Sequence, residues 1–195
     1  MPGAMETIAV VLVSVREGRK GAAFAEWMFK LLAEREGVRA ELIDLKDWPL
    51  PAYTYPVHAT AAEQHYAKDS LQARWAERIR PIDGFIFVTP EYNRGYPGHL
   101  KTALDHLYQA WNKKPVAFVG YGGFSGGSRV IEQLKQVSIE LQMVPSRDDV
   151  SINMIGLATD EHGFPSAELW QKRAKGLLDS LLYWTRLLKP ERERH

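Results

Sequence analysis

From Thr89 to Asp105 the chain reads TPEYNRGYPGHLKTALD, directly after the apolar run Gly84–Val88. Pro90 and Pro97 stiffen this stretch, and Gly95 and Gly98 permit positive φ or close backbone approach. Pro97 suits a first helical position. Tyr92 and Tyr96 supply aromatic faces or edges, and Glu91 and Asn93 supply groups for a polar rim. Such a loop at the carboxyl end of a parallel strand suits a flat ring with polar edges. Composition alone equally describes a turn with surface tyrosines.

Two other turns have residues that could act with it. Ser14-Val15-Arg16-Glu17-Gly18-Arg19-Lys20-Gly21 joins a buried run to a helical pattern. A hydroxyl, cationic side chains and free amides at a helix start make an anion site. Without Gly-Lys-Ser/Thr this is no Walker A loop, which disfavours a triphosphate with Mg²⁺. The competing reading is a basic surface loop. The third turn, Gly120-Tyr121-Gly122-Gly123-Phe124-Ser125-Gly126-Gly127, nearly matches G-x-G-x-x-G. Ser125 replaces the last glycine, and the turn follows the fourth strand, whereas the dinucleotide fingerprint belongs on the first. It reads either as backbone approaching a ligand or as a flexible glycine turn.

Other chemistries find less support. The chain has no cysteine, which excludes disulfides, thiol catalysis and thiolate metal sites. His99 and His106 lack the i,i+4 spacing of a helical zinc pair and read as structural or surface residues. Asp148 and Asp149 read as a solvated pair at a strand end. The tryptophans lie mostly on apolar stripes and read as core or interface. No catalytic acid–base residue and no metal ligand is assigned.

Apolar runs that alternate with amphipathic helices must position these turns. Strands are expected at Thr7–Ser14, Arg39–Asp44, Gly84–Thr89 and Pro115–Tyr121, with a fifth inside Gln142–Asn153 interrupted near Pro145. Helical stripes run through Phe24, Trp27, Met28 and Leu31; Leu71, Trp75 and Ile79; and Leu100, Ala103, Leu104 and Leu107. Two more run through Val130, Leu134 and Val137, and through Trp170, Leu177, Leu181, Trp184 and Leu188. The pattern predicts an α/β fold, a three-layer doubly wound flavodoxin-like sandwich on a five-stranded parallel sheet of order 2-1-3-4-5. In that order the turns after strands one, three and four converge. Residues 46–64 form a long aromatic connector, and the tail from Lys189 to His195 is expected to fray.

At 195 residues the chain is expected to be a single domain over 1–195. Lys and Arg total 25 against 24 Asp and Glu, which gives no basic footprint for nucleic acid. The N-terminal apolar run lacks a preceding basic stretch and is too short to span a bilayer, so no membrane association is expected. Absence of cysteine fits a cytoplasmic location.

Ser14-x-Arg16, Pro90-Glu91-Tyr92-Asn93 running through Tyr96-Pro97-Gly98-x-Leu100-Lys101 to Asp105, and Tyr121-Gly122-Gly123 before Gly126-Gly127 resemble the NADPH-dependent FMN reductase family. The family includes quinone, chromate and azo-dye reductases, and the resemblance spans about residues 7 to 155. It implies bound FMN, with NADPH or NADH as co-substrate and a small-molecule electron acceptor. Ser14, Arg16, Arg19, Lys20 and Gly21 would hold the FMN phosphate. Pro90, Glu91, Tyr92 and Asn93 would line the isoalloxazine, with Tyr96 at the same edge or at a subunit contact. Tyr121, Gly122 and Gly123 would lie at the ring's pyrimidine side. Assembly as a homodimer or homotetramer is implied as well, with aromatics of the long connector covering a partner's flavin. The alternatives are a flavodoxin-like electron carrier, commonly more acidic than this chain, and a non-catalytic flavin-binding module.

Overall fold

A computed structural model describes residues 5–154 and 159–194. Its strands are β1 (Glu6–Leu12), β2 (Val38–Asp44), β3 (Gly84–Pro90), β4 (Pro115–Gly122), β5 (Val144–Pro145) and β6 (Val150–Asn153). All are parallel, in the order β2-β1-β3-β4, with β5 and β6 side by side in sequence along the outer edge of β4. Val10 is in register with Leu42 of β2 and Ile86 of β3, and Phe87 with Phe118 of β4. The expected strand order holds, and the fifth strand comes as two pieces.

Successive side chains of a strand point to opposite faces. Ile8, Val10, Leu12, Ile86 and Val88 therefore meet α1 (Gly21–Ala33) and α6 (Glu168–Glu193) through Phe24, Met28, Leu177 and Leu181. Ala9, Val11, Phe85, Phe87 and Phe118 meet α3 (Leu71–Ile79), α4 (Gly98–Asp105) and α5 (Ser128–Glu140) through Trp75, Leu104 and Leu134. Each buried Val, Leu, Ile, Phe or Met among them contributes about 1.5–3 kcal/mol by leaving water. The edge strands β2 and β6 are half-exposed, with β6 alternating buried and open positions.

The last strand breaks after Ser146, whose N–H still donates to the Val116 carbonyl of β4 at 2.7 Å. Between β5 and β6 the Phe118 N–H donates to the Asp149 carboxylate at 3.3 Å instead of to a strand carbonyl. The Asp149 side chain is thus largely covered beside Lys135, at 12% exposed against 46% for Asp148, which corrects the solvated pair expected for the two. Burial pushes the Asp149 carboxyl up, and Lys135 opposes that shift.

The tail is also more ordered than expected. α6 continues to Glu193 because Lys189 and Arg192 donate to Asp83 at 2.8 and 2.7 Å, which clamps it to the start of β3. His195 lies outside the described residues. The connector at 46–64 packs on the body of the chain. Trp48 lies 5.0 Å from Trp75, and Tyr53 lies 5.4 Å from His106. His106 is fully buried and donates to the Pro51 carbonyl at 2.8 Å, so it is a structural histidine. A four-residue helix, α2 (Ala59–Ala62), leads from the connector to Glu63, whose carboxylate accepts the Tyr108 and Gln109 amides at 2.8 and 2.9 Å.

Candidate functional site

β1 and β3 are neighbours, yet β1 leads to α1 on one face and β3 to α4 on the other. The two exits diverge, and a crevice opens where they separate. Its volume is about 350 Å³. The first loop lines it with Ser14, Arg16, Arg19 and Lys20, the second with Pro90, Glu91 and Tyr92, and the third with Tyr121, Gly122 and Gly123. Cavities that bind small molecules fall in this size range.

Direct bonds join the loops. The Ser14 and Tyr92 hydroxyls lie 3.1 Å apart. The Glu91 N–H donates to the Tyr121 carbonyl at 2.9 Å. The Glu91 carboxylate accepts from the Ser125 hydroxyl at 2.8 Å and from the Arg129 guanidinium at 2.9 Å. Burial pushes that carboxyl up, but Ser125 and Arg129 outweigh it and hold Glu91 below its usual value. Its carboxylate is therefore an anchor between the second and third loops. His99 adds a tie, donating from Nε2 to the Val13 carbonyl at 2.6 Å.

The cations of the first loop divide into two roles. Arg19 donates to the Ser14 carbonyl at 2.6 Å and forms a two-point pair with Asp44 at the end of β2. Asp44 raises the Arg19 pKa through that hydrogen bond, and the guanidinium staples the loop to the sheet. Arg16 and Lys20 enter no ion pair among the described residues; Arg16 rests 5.7 Å from the centre of the Tyr92 ring. α1 begins here with no side-chain cap, so its first amides face the same end of the crevice as these two cations.

Several expected site residues stand elsewhere. Tyr92 and Gly95 exchange backbone hydrogen bonds at 2.9 and 3.0 Å around a turn whose tip is Asn93 and Arg94, with φ of 49° and 70°. Asn93 serves that turn, where asparagine tolerates positive φ, and it does not line the crevice. Tyr96 packs against the core beneath α4 and α5. Gly21 sits over the Tyr121 hydroxyl, where an added Cβ would fall at 2.2 Å. Burial pushes the Tyr121 phenol up, although a bond to Ser14 opposes the shift. Gly120, Gly126 and Gly127 meet backbone, since a Cβ on Gly127 would lie 2.4 Å from the Tyr121 nitrogen. Gly123 differs, because a Cβ there meets no protein atom within 4 Å. Glu17, Gly18 and Met154 complete the lining, Met154 with no sequence signal to mark it.

One end of the crevice thus offers two cations that enter no ion pair among the described residues, together with helix amides, and the other offers an aromatic ring, prolyl carbon and bare backbone. That donor set fits a mononucleotide with an anionic tail and a flat head, and Gly123 leaves the space that a Cβ would fill. Among the described residues no group of three His, Cys, Asp or Glu is placed to hold a metal ion, and no helix is long and apolar enough to cross a membrane.

Known proteins give an independent comparison. The sequence model of the NADPH-dependent FMN reductases matches residues 7–156. An NAD(P)H-dependent FMN reductase of Schizosaccharomyces pombe is 41% identical over 136 residues, covering 70% of this chain and 67% of the relative. A quinone reductase of Pseudomonas putida is 29% identical over 149 residues, covering 71% and 75%. The solved structure of FerB, a flavoenzyme NAD(P)H:(acceptor) oxidoreductase from Paracoccus denitrificans, superposes with a TM-score of 0.75 at 26% identity, covering 94% of this chain and 98% of that one.

Proposed function

The chain belongs to the NADPH-dependent FMN reductase family, and on that premise we propose that it is an FMN-dependent NAD(P)H oxidoreductase acting on a small acceptor. The net reaction is NAD(P)H + H⁺ + acceptor → NAD(P)⁺ + acceptor-H₂, a two-electron transfer. When bound, FMN supplies the redox chemistry, taking a hydride from nicotinamide and returning two electrons to the acceptor. The residues of the chain hold, orient and expose it.

Arg16, Lys20 and the first amides of α1 bind the phosphate, and Ser14 donates its hydroxyl to the same end. Arg19 keeps that loop in place through Asp44, so its contribution is positional. Pro90 and Tyr92 flank the ring, while Gly122 and Gly123 let backbone come close. Glu91 acts by pinning the second loop to the third through Ser125 and Arg129. No side chain of the crevice is assigned as an acid or base. The remainder of the reading is a single-domain cytoplasmic protein that assembles as a homodimer or homotetramer, which light scattering on the eluting protein measures.

The observation that carries this reading is the meeting of three loops in one crevice with two unpaired cations at one end and an open glycine at the other. Purified protein should be yellow or take up added FMN stoichiometrically, and should oxidise NAD(P)H in the presence of a quinone. A protein that neither carries nor binds FMN refutes the reading. FMN binding without NAD(P)H oxidation identifies an electron carrier instead.

A further inference from the structure

Phe124 is 89% exposed, and its ring makes no aromatic contact among the described residues. An isolated exposed apolar side chain is ordinary on a protein surface. Its surroundings set this one apart. The preceding residue, Gly123, lines the crevice. The Phe124 carbonyl accepts from Asn153 Nδ2 at 3.2 Å. The next residue, Ser125, is fixed by its hydroxyl to Glu91 at 2.8 Å and by its carbonyl to the Ser128 N–H at 3.2 Å. Gly126 abuts the backbone of β6, where a Cβ would fall 2.9 Å from the Asn153 nitrogen, and Gly127 abuts β4. The Phe124 carbonyl and the residues that follow it are thus held from the second loop, from β4 and from β6, and the ring stands in solvent. A bare phenyl ring one residue from a crevice-lining glycine presents a stacking surface.

We propose that Phe124 is a specificity-determining residue: its exposed ring, next in sequence to the crevice-lining Gly123 on backbone anchored through Ser125 and Asn153, stacks on planar aromatic electron acceptors of the quinone class. The inference rests on the FMN-dependent oxidoreductase reading above. An aromatic pair adds affinity beyond the area that it covers. Compact, non-planar acceptors gain nothing from it, so the residue selects by acceptor shape.

The test compares wild type with Phe124→Ala, Phe124→Leu and Phe124→Trp at saturating NADPH, using menadione and ferricyanide as acceptors, with FMN affinity titrated separately. Phe124→Ala and Phe124→Leu should raise KM for menadione by about 2- to 10-fold, the range expected for loss of one aromatic pair. Phe124→Trp should keep the wild-type KM. Ferricyanide turnover and FMN affinity should stay within twofold in all three variants. An unchanged menadione KM in Phe124→Ala, full activity in Phe124→Leu, an equal loss with ferricyanide, or a loss of FMN affinity each overturns the proposal while leaving the oxidoreductase reading in place. Failure of the wild-type protein to bind FMN removes that reading and this inference with it.

Discussion

Gly21→Ala replaces a single hydrogen by a methyl group at the first residue of α1, and the structure gives it an unusual consequence. The new Cβ would lie 2.2 Å from the Tyr121 hydroxyl oxygen, 2.8 Å from Cζ and 3.1 Å from Cε1. Ordinary contact begins more than an ångström beyond the first of these distances. The Tyr121 ring is 7% exposed and packs 5.2 Å from Phe24, so it has little room to retreat. Overpacking of this kind costs about 1–3 kcal/mol. Alanine recovers at most about 0.5–1 kcal/mol through lower backbone entropy in the unfolded chain. The net loss should be about 1–2 kcal/mol, read as a lower urea midpoint at unchanged slope. Because the displaced ring carries the floor beneath Ser14, FMN affinity should fall as well. Gly176→Ala on the exposed side of α6 is the control, since its Cβ meets nothing within 4 Å, and it should stabilise by about 0.5–1 kcal/mol. Adding Tyr121→Phe to Gly21→Ala removes the closest contact but leaves the one at 2.8 Å, so rescue should be partial. Equal effects of the two alanines, or no rescue by the phenylalanine, would refute the assigned contact.

Arg16→Ala should weaken FMN binding by about 10- to 100-fold through loss of a charge-assisted contact of about 1.5–3 kcal/mol, while leaving the urea midpoint unchanged; an unaltered FMN titration would remove Arg16 from the phosphate end. Lys114 is buried, donates to the Ile79 and Arg80 carbonyls at 2.9 Å, and is pushed down from 10.5 to about 7 by burial, with Arg192 adding to the shift. The unfolded chain therefore binds the proton more readily between pH 7 and 10.5. Wild-type stability should rise with pH across that window relative to Lys114→Met, by at most about 5 kcal/mol in total, and a stability difference between the two proteins that stays flat from pH 7 to 9.5 would show that the amine is not depressed.

Much of the fold was legible in the chain because its signals are local. Runs such as Ile8–Val13 and Phe85–Val88 identify buried strands by composition, stripes such as Phe24–Trp27–Met28 identify helices by spacing, and their alternation leaves few topologies. The strand order then placed the first, second and third loops together. Contacts between residues distant in sequence decided what each loop residue does. The guanidinium of Arg19 is committed to Asp44 on a different strand, and Glu91 is committed to Ser125 and Arg129. Gly126 and Gly127 are glycines because backbone from β6 and β4 occupies the space a Cβ needs, whereas Gly123 faces open space. Composition could not separate those cases, since a glycine reads alike whether a neighbouring strand or a ligand lies against it. Asp149 likewise reads as a surface carboxylate until the gap between β5 and β6 brings the Phe118 amide to it. Periodicity along the chain is sufficient to choose the layers, but the partner of a side chain is a property of three-dimensional proximity, which only the packed sheet and its helices establish.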